Sequence, residues 1–358
     1  MQVSKRHSER GFSMVELMVA VGVMLVVGGA VFTLVQGSMK ISSSTYEMTE
    51  TQQTLRVAHE FVNRDLMNAG DGLKSISNIN VPRNFVLNYT TRTPIDDPAT
   101  PTINKMGLLT TDNNISAGTA VLGSNPTVTV RATPALTDRI TMLEIDPTFT
   151  PIALAANKIN LAGTDVSIST TDVTRFAIGE IYFITSSAGG TLGTITNITG
   201  VGTTTPKLIF GAGDTYGLNI AGTTGQIGTI SGAGTLPTSL LRLKLIHYYV
   251  NSNGLLMRRV FGVKNAGFSE SAIAEHVISI QFRYFLDLRD SNDRVVQPVT
   301  LLSNSTEQLA VRQVEVAITA ETPHVIHQGG AQKQLTMTTS TSVRNMQYNL
   351  QFRKSLAG

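Results

Sequence analysis

The chain has no cysteine and no tryptophan in its 358 residues. Without cysteine there are no disulfides, no thiolate metal sites and no cysteine nucleophiles. The compartment stays open, because exported proteins can also lack cysteine. Charge is scarce as well. Asp, Glu, Lys and Arg make up 15% of the chain, against roughly 25% in ordinary soluble domains. Thr, Ser, Gly and Asn fill the difference, a mixture that suits a β-rich, loop-rich extracytoplasmic protein. Net charge is +3, with the basic residues scattered rather than clustered. That balance carries no nucleic-acid footprint, and no such partner is expected. No internal repeat stands out. The stretch Gly200–Leu236 is rich in Thr and Gly but not periodic.

What is present starts at the first residue. The opening MQVSKRHSERG is basic through Lys5, Arg6 and Arg10, despite Glu9. An apolar run follows from Phe12 to Val35. At ~24 residues it reaches ~36 Å as a helix, enough to cross a bilayer core. Positive charge on its N-terminal side predicts a cytoplasmic N-terminus. The run is too long for a typical secretory-signal core, and the chain continues directly into more helix. A plain signal anchor and a leader cut before the apolar run remain. Glu16 separates them. A carboxylate inside a membrane segment costs on the order of 2.5–3.5 kcal/mol, and a plain anchor has no reason to carry one. A subunit that joins a filament does: the carboxylate can pair with the amino-terminal charge of a neighbour.

The helix is expected to continue. From Tyr46 the residues turn polar, yet apolar positions recur at Met48, Leu55, Ala58, Val62, Leu66 and Ala69. Gaps of three and four are the amphipathic helix period, and Gly70 and Gly72 supply a stop. Phe12–Asn68 spans ~57 residues, or ~85 Å if unbroken. Gly22, Gly28, Gly29 and Gly37 lower helix propensity by about 1 kcal/mol each. They admit two readings: close helix packing in the membrane, or a segment that loosens when the subunit changes surroundings.

After Gly72 the pattern changes to short strands. Arg139–Ile145, Glu180–Thr185, Gly193–Ile198, Leu240–Val250, Leu255–Val263, Val277–Leu286, Val311–Ala320 and Gln334–Met346 are the candidates, with a turn at Asn251–Gly254. Val311, Val314, Val316 and Ile318 fall mainly on one face. The expectation is an antiparallel sheet protein with long loops.

Gly11-Phe12-Ser13-Met14-Val15-Glu16-Leu17 resembles the type IV pilin signature, with Gly immediately before the cut. The order of later pieces extends the resemblance to PilW-like minor pilins. Leu55–Gly70 is similar to their helix end, and Thr137–Ile145 and Phe176–Thr185 to their first head strands, with Glu180 where Asp is more usual. Leu256–Arg259, Ile273–Tyr284 and Val311–Ala320 follow in order, and Val343–Met346 resembles the closing strand. The type II secretion minor pseudopilin of the J class is similar in plan. Length above 300 residues and the Thr/Gly insert favour the pilus version. Many major pilins close their C-terminal region with a disulfide; this chain departs from that.

The resemblance implies an α+β, pilin-like fold: a leader over 1–11, a long helix over 12–70 (12–35 transmembrane, 36–70 amphipathic) and a β-rich head over 71–358. It implies cleavage between Gly11 and Phe12 by the prepilin peptidase, N-methylation of Phe12 and an assembly role for Glu16. It implies a structural minor pilin, not an enzyme, that primes or caps a pilus. Its partners are other minor and major pilins, the inner-membrane assembly platform and membrane lipid. The head would be periplasmic before assembly and at the pilus or cell surface after it. A secretion pseudopilin and a filament-tip adhesin or ligand-binding head are the alternatives. No cofactor is implied.

Other constellations have plain explanations. His324 and His327 have the spacing of two zinc ligands, but Pro323, Gly329 and Gly330 argue for a solvated loop, and no metal site is expected. Asp287–Asp293 is oxygen-rich, yet lacks the glycine and distal Glu of an EF-hand loop; a hairpin turn between Tyr284 and Val295 accounts for it. Gly211–Gly217 spaces glycines like part of a dinucleotide loop without the strand–turn–helix setting. His59 is expected on the solvated side of the amphipathic helix. Arg242, Lys244, Arg258 and Arg259 are expected as a solvated strip on one sheet.

Overall fold

A computed structural model describes residues 11–71, 73, 79–90, 103–115, 120–122, 128–129, 136–262, 267–289, 294–325 and 332–343. The chain divides into two compact units, one of Met1–Thr51 with Thr322–Lys333, the other of Gln52–Glu321 with Gln334–Gly358. Helix α1 (Met14–Asn68) is a single element of 55 residues, about 82 Å long at the standard rise.

In the first unit, the apolar part of α1 is exposed on every side, from Met14 through Leu34. Added Cβ atoms at Gly22, Gly28, Gly29 and Gly37 would meet nothing within 4 Å. Their small size therefore serves no contact within the chain. Residues 322–325 and 332–333 belong to the same unit. His324 Nδ1 lies 3.1 Å from Glu47 Oε1, and Lys333 Nζ lies 3.6 Å from Met48 Sδ.

In the second unit the helix has one apolar face. Leu55, Ala58, Val62, Leu66 and Ala69 are buried, at the expected spacing. Gly70 ends the helix in a left-handed conformation (φ 73°), and a Cβ there would come 2.7 Å from Leu108 Cδ1. Its N–H donates to the Leu143 carbonyl at 2.8 Å, tying the end of α1 to the sheet beneath.

That sheet is built in chain order from β1 (Ile79–Pro82), β2 (Ile103–Met106) and β3 (Leu109–Ile115), with the short ladder β4 (Ala120–Leu122) and β5 (Val128–Thr129) apart from it. β6 (Thr137–Ile145) and β7 (Ile152–Leu154) follow, then β8 (Asp165–Ser167), β9 (Ile181–Ser186), β10 (Gly189–Thr194), β11 (Asn197–Thr199) and β12 (Lys207–Ile209). β13 (Thr238–Val250), β14 (Leu256–Phe261), β15 (Phe268–Ala274), β16 (Val277–Leu286), β17 (Val311–Glu321) and β18 (Gln334–Ser342) complete the set. The ten-stranded sheet runs β15-β14-β13-β9-β10-β1-β2, with β6 and β7 also on β13 and β3 on β6. β8, β11 and β12 form a second sheet, and β16, β17 and β18 a third. Every strand pair is antiparallel except β1 with β10. The architecture is thus the expected α+β plan of a long N-terminal helix followed by antiparallel-rich sheets.

β13 is the longest strand and pairs in succession with β7 and β9, then with β6 and β14. Side chains alternate along it. Tyr248 turns toward α1, where its hydroxyl donates to Asp65 at 2.8 Å, and His247 points to the opposite face. Val311, Val314, Val316 and Ile318 are all fully buried. The odd step from 311 to 314 is absorbed by a register shift opposite Phe285 and Leu286.

Several boundaries differ from expectation. The expected strand Gly193–Ile198 is two elements, β10 and β11, and β10 starts four residues earlier. Gly189 and Gly190 are strand residues rather than spacers: the turn is Ser187-Ala188, and a Cβ at Gly190 would collide with the Phe183 ring. β9 begins at Ile181 and leaves Glu180 outside. β14 ends at Phe261, and β18 is described to Ser342. Val263, Gly72 and Arg344–Met346 lie outside the described residues.

The Thr/Gly-rich stretch, which has no period in sequence, contributes Leu208, Phe210 and Ile227 to a second hydrophobic core with Phe149, Val166, Phe176 and Tyr182. The larger core gathers α1, the main sheet and the β16-β17-β18 sheet.

Candidate processing and assembly site

The residues expected to matter most lie at the start of α1. Gly11, Phe12 and Ser13 precede the helix, and Met14 opens it. The Ser13 carbonyl accepts from the Leu17 N–H at 3.1 Å, so Ser13 is the N-cap. Its Oγ accepts from the Glu16 N–H at 3.3 Å, and Glu16 Oε2 accepts from the Ser13 N–H at 3.0 Å. This is a capping box, in which serine and glutamate each satisfy a backbone donor that the first helical turn leaves open. The glutamate also sits where the positive end of the helix dipole favours it. The S-x-x-E spacing is legible in the sequence, yet the membrane cost and assembly role of Glu16 leave its capping role unread.

The capping box places the Gly11–Phe12 bond just outside regular helix. A Cβ at Gly11 would meet nothing within 4 Å, and its φ is not left-handed. The chain's own packing does not require glycine there. Phe12 is 84% exposed, and Glu16 is exposed as well. Lys5, Arg6 and Arg10 lie outside the described residues. α1 is the helix long and apolar enough to cross a membrane among the described residues.

His59 is not solvated. It is buried, with Nε2 3.0 Å from the Met337 carbonyl and Nδ1 2.8 Å from Thr339 Oγ1. β18 covers the side of the helix that the apolar period leaves polar, and Asn63 joins in through Thr339 and Thr341. Burial pushes the His59 pKa down, and the Met337 hydrogen bond opposes this.

The four basic residues do not make a solvated strip. Arg242, Lys244 and Arg258 share the α1-facing side of β13 and β14, whereas Arg259 is buried on the other face. Arg258 pairs with Asp65 at 2.5 Å, and Arg242 with Asp146 at 2.9 Å and Glu180 at 3.1 Å. Lys244 reaches Asp146 at 3.7 Å, and Arg259 pairs with Glu270 at 2.8 Å. Sequence spacing shows neither the acidic partners nor which face is covered.

On that second face, sequence reasoning missed a polar row that is buried from Thr110 to Arg259 and ends at the exposed Glu270. Thr110, Thr141, His247, Arg259 and Glu270 stand opposite one another across β3, β6, β13, β14 and β15. His247 Nδ1 lies 3.0 Å from Thr141 Oγ1. Burial, then Arg139 and Arg259, holds the His247 imidazole well below its ordinary pKa, so it is neutral. Nearby, Asp138 accepts from the N–H groups of Asn114 and Phe282, each at 2.8 Å, joining the main sheet to β16. Burial raises its pKa to about 6.

The remaining constellations are described in part. Asp214 accepts from the N–H groups of Tyr216, Leu218 and Asn219, folding the Gly211–Gly217 loop on itself. Bridges Arg289–Val295 and Tyr284–Val299 form the expected hairpin around Asp287; Asp290, Asn292 and Asp293 lie outside the described residues, as do His327, Gly329 and Gly330. Among the described residues no three His, Cys, Asp or Glu side chains gather as a metal site.

Residues 6–32 match the family model of the prokaryotic N-terminal methylation motif. No curated protein and no solved structure matches the chain. The motif and the apolar helix that carries it support a type IV prepilin-like protein, one that fits anchoring in an inner membrane and interaction with pilins and a prepilin peptidase in general.

Proposed function

We propose that the chain is a structural minor pilin, of PilW-like type, that helps prime or cap a type IV pilus. The peptidase removes residues 1–11, the new amine of Phe12 is methylated, and Glu16 guides entry into the filament. The observation that carries this reading is a carboxylate at the start of an exposed apolar helix, inside the matched motif at 6–32. Gly11 supports it too: among the described residues nothing calls for glycine there, which suits an external requirement such as a narrow peptidase site. The protein acts by assembling and performs no catalysis of its own. The head is periplasmic until the subunit is extracted into the filament.

A secretion pseudopilin of the J class shares the leader and helix. A filament-tip adhesin is favoured by one observation, a second hydrophobic core around Phe149, Phe210 and Ile227. N-terminal mass spectrometry of protein from cells tests the main reading. The expected chain begins at a methylated Phe12; one beginning at Met1, or after Val35, would overturn it. Co-purification with pilus or secretion subunits then separates the two filament systems.

A further inference from the structure

Successive stretches of α1 differ in what can surround them. The apolar run to Val35 calls for lipid or neighbouring helices, and from Thr51 to Leu66 one face is buried. Between them, Ser38 to Tyr46 has neither. Its sequence, SMKISSSTY, is too polar for lipid and keeps no apolar stripe, and every residue in it is exposed except the half-buried Ser44. Cover resumes just beyond, where His324 meets Glu47 and Lys333 meets Met48. Helices in proteins draw most of their stability from a packed face, so this stretch has the least support in α1.

Composition weakens it further. Ser42, Ser43, Ser44 and Thr45 stand in a row. Serine and threonine hold a helix less well than alanine, because their hydroxyls compete for backbone groups. That competition is present here. Ser43 Oγ donates to the Lys40 carbonyl at 3.0 Å, Thr45 Oγ1 to the Ile41 carbonyl at 2.9 Å and Thr49 Oγ1 to the Thr45 carbonyl at 2.8 Å. Each bond gives a helix carbonyl a second partner, which loosens and bends the helix.

Gly22, Gly28 and Gly29 lower helix propensity as well, but they lie within the apolar run. In a bilayer an opened turn leaves N–H and C=O groups with no water to bond. Ser42 lies about 10 Å along the helix beyond Val35, where freed groups are hydrated at once. Building on the membrane-anchored reading, on which this inference rests, we propose that α1 opens locally over Ser42–Thr45, and that this turn rather than the glycine-bearing stretch is the joint of the helix. An opened turn lets the two ends of α1 change direction independently as the subunit goes from membrane to filament.

Amide hydrogen exchange, read by mass spectrometry on the full-length chain in lipid nanodiscs, tests this. A variant carrying Ser42→Ala, Ser43→Ala, Ser44→Ala and Thr45→Ala is compared with it. Amides over 42–47 are expected to exchange about tenfold faster than those over 20–33 and 55–66, or more. The alanine changes are expected to slow 42–47 by about tenfold and to leave both flanks as they were. Equal protection over 42–47 and 55–66, fastest exchange at Gly28 and Gly29, or no slowing in the variant would each overturn the proposal. Fast exchange across all of 20–33 would overturn the membrane-anchored reading and the joint with it. Slow exchange over 20–33 and 42–47 alike would remove the joint alone.

Discussion

Between Met14 and Val35, α1 carries Phe, Val, Leu and Met on every side, and all are exposed; between Leu55 and Leu66 its buried apolar residues keep to one stripe. The backbone is helical in both. The first pattern needs an apolar surrounding supplied from outside the chain, a bilayer or neighbouring helices. The second has its partner in its own sheets. Periodicity therefore reports where the partner is, and its loss marks where the chain depends on others.

The sharpest way to break this comparison is at the junction between leader and helix. Gly11→Leu is expected to leave the longer form in the membrane with little or no mature chain, as a blot or N-terminal mass spectrometry would show. Normal processing would mean that no narrow site reads residue 11. Next in size is Glu16→Ala. Cleavage and insertion should persist, whereas crosslinking or co-purification with other pilins should fall strongly. In an apolar core a carboxylate–amine pair attracts far more than in water, although desolvation offsets much of the gain. Glu16→Gln should be intermediate, because the amide keeps the capping acceptor and loses the charge. Wild-type assembly of Glu16→Ala would remove the carboxylate from the mechanism.

The head sharpens the other side of the comparison. Residues 46–358 alone are expected to be soluble and folded, with sheet and helix by circular dichroism. In that fragment Leu66→Ala should cost about 2–5 kcal/mol in unfolding experiments, as for a buried leucine. In the full chain Leu25→Ala should change head stability by about 0.5 kcal/mol or less. Similar losses at the two positions would mean that the exposed half of α1 also supports the head.

The smallest expected effect is a titration. Asp138 has its pKa raised from 3.8 to about 6, so its stabilising contribution is present below the unfolded value and lost as pH rises through 6. The head should gain on the order of 1–3 kcal/mol from this group as pH falls from 7 toward 4. Carboxylates with lowered values, such as Asp146 and Glu270, pull the other way only below about pH 4, near their ordinary range. His59 and His247, held below their ordinary pKa, work against the fold in the same window, so Asp138 is read by difference. Asp138→Asn should remove this gain between pH 7 and 5, and a curve parallel to the original would assign the titration elsewhere.

The helix, its stop at Gly70 and most strands were legible because each rests on a local pattern. Val277–Leu286 matches β16 end for end, and Leu55, Ala58, Val62, Leu66 and Ala69 are the buried face of α1. What sequence could not show was which polar residues find partners far along the chain. His59 looked solvated because its partners, Met337 and Thr339, arrive from β18. Arg259 looked exposed because its cover comes from the opposite face of the sheet. Gly189 and Gly190 lay outside the expected strand Gly193–Ile198, since glycine under an aromatic ring and glycine in a turn read alike in one dimension. At the N-terminus the signature of the candidate site was legible, but the capping partnership of Ser13 with Glu16 is hidden by the apolar run that surrounds it.

The Gly70 N–H on the Leu143 carbonyl, together with Asp65 on Arg258 and Tyr248, has a mechanical consequence. A pull along α1 enters the head at its base and is shared at once among β6, β13 and β14. Those strands are joined by several hydrogen bonds each, and these must yield together before the helix can peel away. Elsewhere the second core around Phe149 and Phe210 packs on β9 and the first half of β13, off that path. Under tension that part should therefore carry little of the load, which falls on the strands at the root of the helix.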